Sequence, residues 1–171
     1  GIRQAAHGDL AGIISRLDYL QALGIDGIWL SPHYPSPLLD CGYDVADYRG
    51  VAPEYGTLDD FKRFLDAAHQ RDIRVVLDMV LNHTSDQHPW FQDARRGPAQ
   101  AQHDWYVWRP GRDGGPPNNW TSVFGGSAWA WDGRRQQYYL HNFLTSQPDL
   151  NLHNPDVQDA LLEVERFWLK R

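Results

Sequence analysis

The 171-residue chain contains a single cysteine, Cys41, and a single methionine. One thiol excludes an internal disulfide framework and fits a reducing, cytoplasmic compartment. No apolar run approaches the ~20 residues needed to cross a bilayer as a helix, which argues against a membrane span. The formal net charge is −6 and no cluster of Lys or Arg offsets it, so a nucleic-acid surface is not expected. No charged-then-apolar leader is visible at Gly1, although the chain starts without Met. None of the eight histidines pairs with another at a zinc spacing, and no metal or cofactor is expected. With 42% hydrophobic and 22% charged residues, the composition still suffices for one domain-sized core. Aromatics are plentiful. Six of the eight Trp lie from Trp90 to Trp131, in polar company rich in Gly and Pro, where rings either pack a loop-rich unit or cover sugar faces.

Periodicity sets the order of elements. Residues 9–23 place Leu10, Ile13, Ile14, Leu17 and Leu20 on one helical face, and Gly24 suits the left-handed residue that ends a helix. The run "IDGIWLSP" then reads as a buried strand stopped by Pro32. Thr57 with Asp60 three residues on is a capping box, followed by Leu58, Phe61, Leu65 and Ala68 on one face. "IRVVLDMVL" reads as a second strand, buried on both faces as in parallel sheets. Residues 85–153 show no sustained period and are too long for a plain loop, which predicts an inserted unit with a few short strands such as "QQYYLHNF". Asn154-Pro155 opens a last helix with Val157, Ala160, Leu161, Val164, Phe167 and Trp168 on one face and Lys170 and Arg171 in its last turn.

Strands alternating with helices imply an α/β fold with parallel crossovers. Two strands close nothing, and an apolar strand is missing before Asp9, so the segment is expected to be part of a larger α/β protein. Sites in such folds lie at the carboxyl ends of strands. Both readable strands end in polar residues: Ser31 and the loop "DCGYD" after the first, Asp78, Asn82 and His83 after the second. If the second strand continues, Asp78 and Asn82 share a face, with His83 leaning over the opening. The pattern leaves a plainer reading open for each, in which Asp78 is a buried carboxylate held by an arginine, Asn82 satisfies loop backbone groups, and His83 is a packed structural residue.

The runs "GIDGIWLSP", "DCGYDVADY", "DMVLNHTSDQHPWF", "WYVWRPG", "PPNNWTSVFGGSAW", "YYLHNF" and "QPDLN" together resemble, in order and over nearly the whole chain, the N-terminal part of the α-amylase superfamily of glycoside hydrolases. The likeness is nearest to its α-glucosidase and oligo-1,6-glucosidase branch. It implies a (β/α)8 TIM barrel, of which this chain holds about strands 2 and 3. Residues 1–83 would form the first part of the barrel, 84–153 the inserted domain B, and 154–171 the barrel helix after it. Asp40 and Tyr43 match the residues that line the subsite for the non-reducing glucose, where a carboxylate accepts from hydroxyls and a ring covers the pyranose face. His83 matches a histidine that bonds a hydroxyl of the same sugar, and Asp78 and Asn82 match residues that orient the site. Phe124 or Trp120 are candidates for an entrance wall.

The same resemblance implies a retaining exo-acting α-glucosidase, cleaving α-1,4 or α-1,6 glucosides, whose nucleophile and acid/base lie on later strands. Asp149 and Asp156 are not candidates for those roles. The acidic calcium loop common in this branch before the Gly8-Asp9-Leu10 segment has no counterpart in "GIRQAAHGDL". Two other readings stay open: a non-catalytic partner subunit of the same superfamily, and a transglucosylase or isomerase of the same branch.

Overall fold

The computed structural model describes residues 8–171. The expected strand before Asp9, and the metal expectation drawn from the residues preceding it, lie outside the described residues. The predicted helix over 9–23 is two short helices, α1 (Leu10–Ile14) and α2 (Leu17–Ala22), broken at Ser15-Arg16. The Asp9 side chain caps the first by accepting from the Gly12 amide. At the break Ser15 Oγ donates back to the Gly12 carbonyl, 2.7 Å away, a local bond that competes with the helical ladder. Gly24 ends α2 with φ +84°, a conformation costly for any residue with a Cβ.

Two strands, β1 (Gly27–Leu30) and β2 (Arg74–Leu77), pair in parallel with Ile28 opposite Val75 and Leu30 opposite Leu77. The crossover between them is α3 (Leu58–His69), opened by the capping box of Thr57 and Asp60. One face of the pair packs on a core of Leu10, Leu17, Phe61, Phe64, Ile73 and neighbours. Contrary to the expectation of burial on both faces, Trp29 and Val76 point outward at 59% and 54% exposure. Successive side chains alternate, so the uncovered face carries these two residues, and among the described residues nothing packs on it. The second strand is also shorter than the apolar run predicts: its ladder stops at Leu77, and the chain from Asp78 to His83 is irregular.

Residues 84–153 build a second core. A helix missed in the sequence reading, α4 (Pro89–Ala94), begins with proline in its first turn and the His88 side chain accepting from the Trp90 amide. Beside it stands an antiparallel sheet of β3 (Trp108–Arg109), β4 (Trp129–Asp132) and β5 (Gln137–Leu140), in the order β3-β5-β4. Phe91, Tyr106, Trp108 and Tyr139 pack edge-to-face or stacked between helix and sheet. The buried Asp132 carboxylate is fully engaged: Arg95 binds one oxygen, and the amides of Arg134 and Arg135 bind the other.

The last helix, α5 (Pro155–Leu169), starts as predicted with an Asn154 cap and Pro155, and buries Val157, Leu161, Val164 and Trp168. It serves both cores, Val157 and Leu161 in the second, Val164 and Trp168 in the first. Lys170 caps its end rather than lying in the last turn, where the basic residue is Arg166. No helix among the described residues is long and apolar enough to cross a membrane.

Candidate functional site

The loop after β1 turns sharply at Asp40–Tyr43. The Tyr43 amide donates to the Asp40 carbonyl at 2.9 Å, and both residues between them have positive φ, Cys41 at 53° and Gly42 at 101°. That pair of left-handed residues marks a tight turn of the I′ kind. A side chain at Gly42 would stand 3.0 Å from the Pro32 carbonyl oxygen. The turn is anchored by Asp44, whose carboxylate accepts from Ser36 Oγ and from the amides of Leu39 and Asp40. Asp40 and Tyr43 are thus presented side by side, both half-buried, by a backbone that has little freedom to shift.

The irregular chain after β2 meets this turn. Tyr43 Oη donates to Asp78 Oδ2 at 3.0 Å. Burial, the bond to Asp78, and the charges of Asp78 and Asp40 all push the Tyr43 phenol pKa above its ordinary value, so it remains a protonated donor. His83 Nε2 lies 3.1 Å from the Tyr43 carbonyl oxygen, and its Nδ1 lies 3.1 Å from Asn82 Nδ2. The partners fix the tautomer: a carbonyl only accepts, so Nε2 carries the proton and Nδ1 accepts from the amide. Burial lowers the His83 pKa, partly opposed by the Tyr43 carbonyl and by Asp40 and Asp44, which leaves the ring neutral at pH 7. Tyr48 Oη sits 2.7 Å from both the Val80 and His83 carbonyl oxygens, pinning the curled segment between them.

The sequence reading places Asp78 and Asn82 together on one strand face. The ladder ends at Leu77, before either residue, so strand alternation does not set where they point, and the two take different partners. Asp78 joins Tyr43, whereas Asn82 is exposed and turns to His83 and, at 3.4 Å, to Asp149. The arginine partner considered for Asp78 is not found among the described residues; its contact is the Tyr43 hydroxyl. His83 is 4% exposed, with its ring nitrogens on protein partners, so in this arrangement it braces the Tyr43 backbone.

Two contributors escaped the sequence reading. Gln147, fully buried, donates through Nε2 to Asp40 Oδ2 at 2.8 Å while its Oε1 accepts from the Leu144 amide. Phe143 lies against the His83 ring with centroids 5.2 Å apart, and Phe124 follows at 6.1 Å from Phe143. Trp120, the other wall candidate, instead stacks on Trp129. Asp149 is held by Asn142 through backbone and side chain, and burial raises its pKa against those bonds. No group of three or more His, Cys, Asp or Glu among the described residues could hold a metal ion.

The arrangement offers a carboxylate and a phenol side by side, braced by residues from 84–153. Residues 3–171 match the family model described as the alpha amylase catalytic domain. The chain belongs to the alpha-amylase family. It is 60% identical over 165 residues to a probable alpha-glucosidase of Rhizobium meliloti (strain 1021), covering 96% of this chain and 30% of the relative. It is 51% identical over 164 residues to the oligo-1,6-glucosidase of Parageobacillus thermoglucosidasius, covering 96% and 29%. Both support the glucosidase branch. Among solved structures, the alpha-glucosyl transfer enzyme XgtA superposes with a TM-score of 0.95 at 54% identity, covering 99% of this chain and 32% of XgtA. The chain therefore spans about a third or less of the length of the relatives it matches.

Proposed function

We propose that this chain is the glucose-gripping part of a retaining, exo-acting α-glucosidase that cleaves α-1,4 or α-1,6 glucosides. In this reading residues 1–83 begin a TIM barrel, 84–153 are its domain B, and 154–171 return to the barrel wall, so that the outward face of Trp29 and Val76 lines the barrel interior. Asp40 accepts hydrogen bonds from hydroxyls of the terminal glucose, and Tyr43 lays its ring on the pyranose. His83 bonds a hydroxyl of the same sugar by sharing the proton that otherwise goes to the Tyr43 carbonyl. Asp78 orients the Tyr43 hydroxyl, and Asn82 holds the His83 tautomer.

The observation that carries the reading is the joint fixing of Asp40 and Tyr43. One turn sets their spacing, Gln147 holds the Asp40 carboxylate from across the seam, and Asp78 holds the Tyr43 hydroxyl. A carboxylate fixed before substrate arrives loses little entropy on binding, and its bonds to the sugar strengthen as the ring becomes oxocarbenium-like. The nucleophile and the acid/base, held about 5–5.5 Å apart in a retaining enzyme, belong in this reading to segments beyond Arg171. The 171-residue segment alone is expected to be inactive.

The test is hydrolysis of an aryl α-glucoside by the full-length protein, with the released sugar followed by NMR. Glucose appearing first as the α-anomer is expected. Asp40→Ala is expected to lower kcat/KM by roughly 10²–10³-fold. Inversion, or an Asp40→Ala protein as active as the parent, overturns the reading. Transglucosylation is the second reading, favoured by the likeness to XgtA, and disaccharide products forming at high substrate concentration would identify it.

A further inference from the structure

The sheet of residues 84–153 has two faces, and only one of them belongs to the second core. Trp108, Ala130 and Tyr139 point to that core. Trp129, Trp131, Tyr138 and Leu140 alternate to the other side, with Trp131 opposite Tyr138 and Trp129 opposite Leu140 across the ladder. Trp120 stacks on Trp129 with centroids 6.1 Å apart and planes 22° from parallel, and Trp131 meets Tyr138 edge-on at 5.1 Å. Trp120 is 58% exposed and Trp131 50%, large values for indoles in a formed sheet region.

Each indole borders a hollow. Trp120 and Trp129 line a cleft of about 380 Å³ with Arg109, Asn118, Asn151 and His153. Trp131 and Tyr138 line one of about 530 Å³ floored by Gly111, Gly114 and Gly115, with Gln136 at its edge. Both volumes fall in the ~300–1,000 Å³ range of small-molecule sites. Amides, an imidazole, a guanidinium and open glycine backbone make the rim, and no carboxylate lines either cleft. The buried Asp132 at the end of the strand is already neutralised by Arg95. Several rim groups keep donors or acceptors uncommitted. Asn118 Oδ1 accepts from the Trp129 indole and the Trp120 amide, leaving its NH2 group available, and Asn151 donates to the Asp104 carbonyl, leaving its oxygen.

We propose that this outer sheet face is a second carbohydrate-binding surface, on which an extended α-glucan lies across Trp120 and Trp131, apart from the clamp at Asp40 and Tyr43. The apolar faces of the pyranoses stack on the two indoles, and the rim amides and the Arg109 guanidinium hydrogen-bond the hydroxyls. Flat exposed rings bordered by amides that can both donate and accept, with one guanidinium donor at Arg109, suit a polyhydroxylated ligand whose hydroxyls do the same. The choice of α-glucan rests on the proposed function.

The test is affinity electrophoresis of the full-length protein through gels containing soluble α-glucan, using the Asp40→Ala form so that the clamp does not contribute. Retardation is expected, weakened about tenfold by Trp120→Ala with Trp131→Ala, the loss of ring stacking at two positions. Trp120→Tyr with Trp131→Tyr keeps a ring at each place and is expected to retain glucan, which separates loss of the platform from loss of the fold. Migration unaffected by glucan overturns the proposal, as does retention unchanged by the alanine pair. A self-associated species in sedimentation that the alanine pair disperses, with no glucan retention in the parent, assigns the face to a second copy and overturns it too. Hydrolysis without retention sinks this inference alone, whereas retention without hydrolysis sinks the glucosidase reading alone.

Discussion

Residues 10–83 and residues 84–153 differ in how their sheets are made and covered. In the first region two parallel strands depend on a helical crossover, and one face of the pair stays open at Trp29 and Val76. In the second, three antiparallel strands stand in the order β3-β5-β4, and their inner face closes on α4 with Phe91 1% exposed. The first core leaves one sheet face open, and the second is closed with the help of Val157 and Leu161 from α5. The candidate site falls on the seam. Asp40 and Tyr43 come from the first region, Gln147 and Phe143 from the second, and backbone bonds such as Ser85 N to Val45 O and Leu150 N to Asn82 O stitch the two together. The turn is anchored from within by Asp44 and from across the seam by Gln147.

The comparison is broken most directly by emptying one core and trimming the open face of the other. Phe91→Ala removes a fully buried ring stacked on Trp108 and edge-on to Tyr106 and Tyr139. It is expected to cost about 3–5 kcal/mol in urea unfolding. Val76→Ala, at 54% exposure in the 171-residue segment, is expected to change the stability of that segment by no more than about 0.5 kcal/mol. A similar loss at both positions would mean that the face of Trp29 and Val76 is covered in solution.

Next comes the seam itself. Gln147→Leu keeps the volume in a fully buried position but deletes the donor to Asp40. A bond to a charged group contributes about 1.5–3 kcal/mol, so kcat/KM of the full-length protein for an aryl α-glucoside is expected to fall roughly 10- to 150-fold. Gly42→Ala strains the turn from the other side, with φ at 101° and the new Cβ 3.0 Å from the Pro32 oxygen. Its cost is expected to be about 1–3 kcal/mol, read as a lower melting temperature together with a raised KM. A normal KM in a destabilised protein would show that the turn supports folding without setting the grip.

Local signals predicted much of this. The capping box at Thr57, the Asn154-Pro155 start and the strand in "QQYYLHNF" all appear in the structure, because caps and alternation are enforced within a few residues. What local pattern does not contain went wrong. The first helix splits where the Ser15 hydroxyl bonds back to the Gly12 carbonyl, and the ladder of β2 ends at Leu77, short of the apolar run. Gln147 is 107 residues from Asp40, and nothing near it in sequence announces that contact. The start of α4 carries only half a signature, a proline at its first position after a histidine that is not a usual cap, within a stretch otherwise rich in glycine and polar residues, and it was missed.

The smallest expected effect compares two buried histidines, one in each setting. Burial lowers the pKa of both His33 and His88 to about 4. The unfolded chain takes up these protons near pH 6.5 and the folded one near 4. The stability each contributes is therefore fully present above pH 6.5 and is lost as pH falls from 6.5 toward 4, at up to about 1.4 kcal/mol per pH unit per ring. The two should part on substitution. His33 lies between Phe61 at 5.2 Å, Trp168 at 4.7 Å and Tyr34 at 4.4 Å, and among the described residues neither of its nitrogens has a partner. His33→Phe therefore loses no hydrogen bond and gains an apolar ring in an aromatic box. Unfolding followed from pH 7.5 to 4.5 is expected to show a shallower slope with unchanged or higher stability at pH 7.5. His88→Phe flattens the same slope but also deletes the acceptor for the Trp90 amide at the start of α4, at a cost of about 0.5–2 kcal/mol at pH 7.5. Equal stability of the two variants at pH 7.5 would mean the cap at His88 contributes nothing, and an unchanged slope for His33→Phe would mean that its ring is protonated in the folded protein.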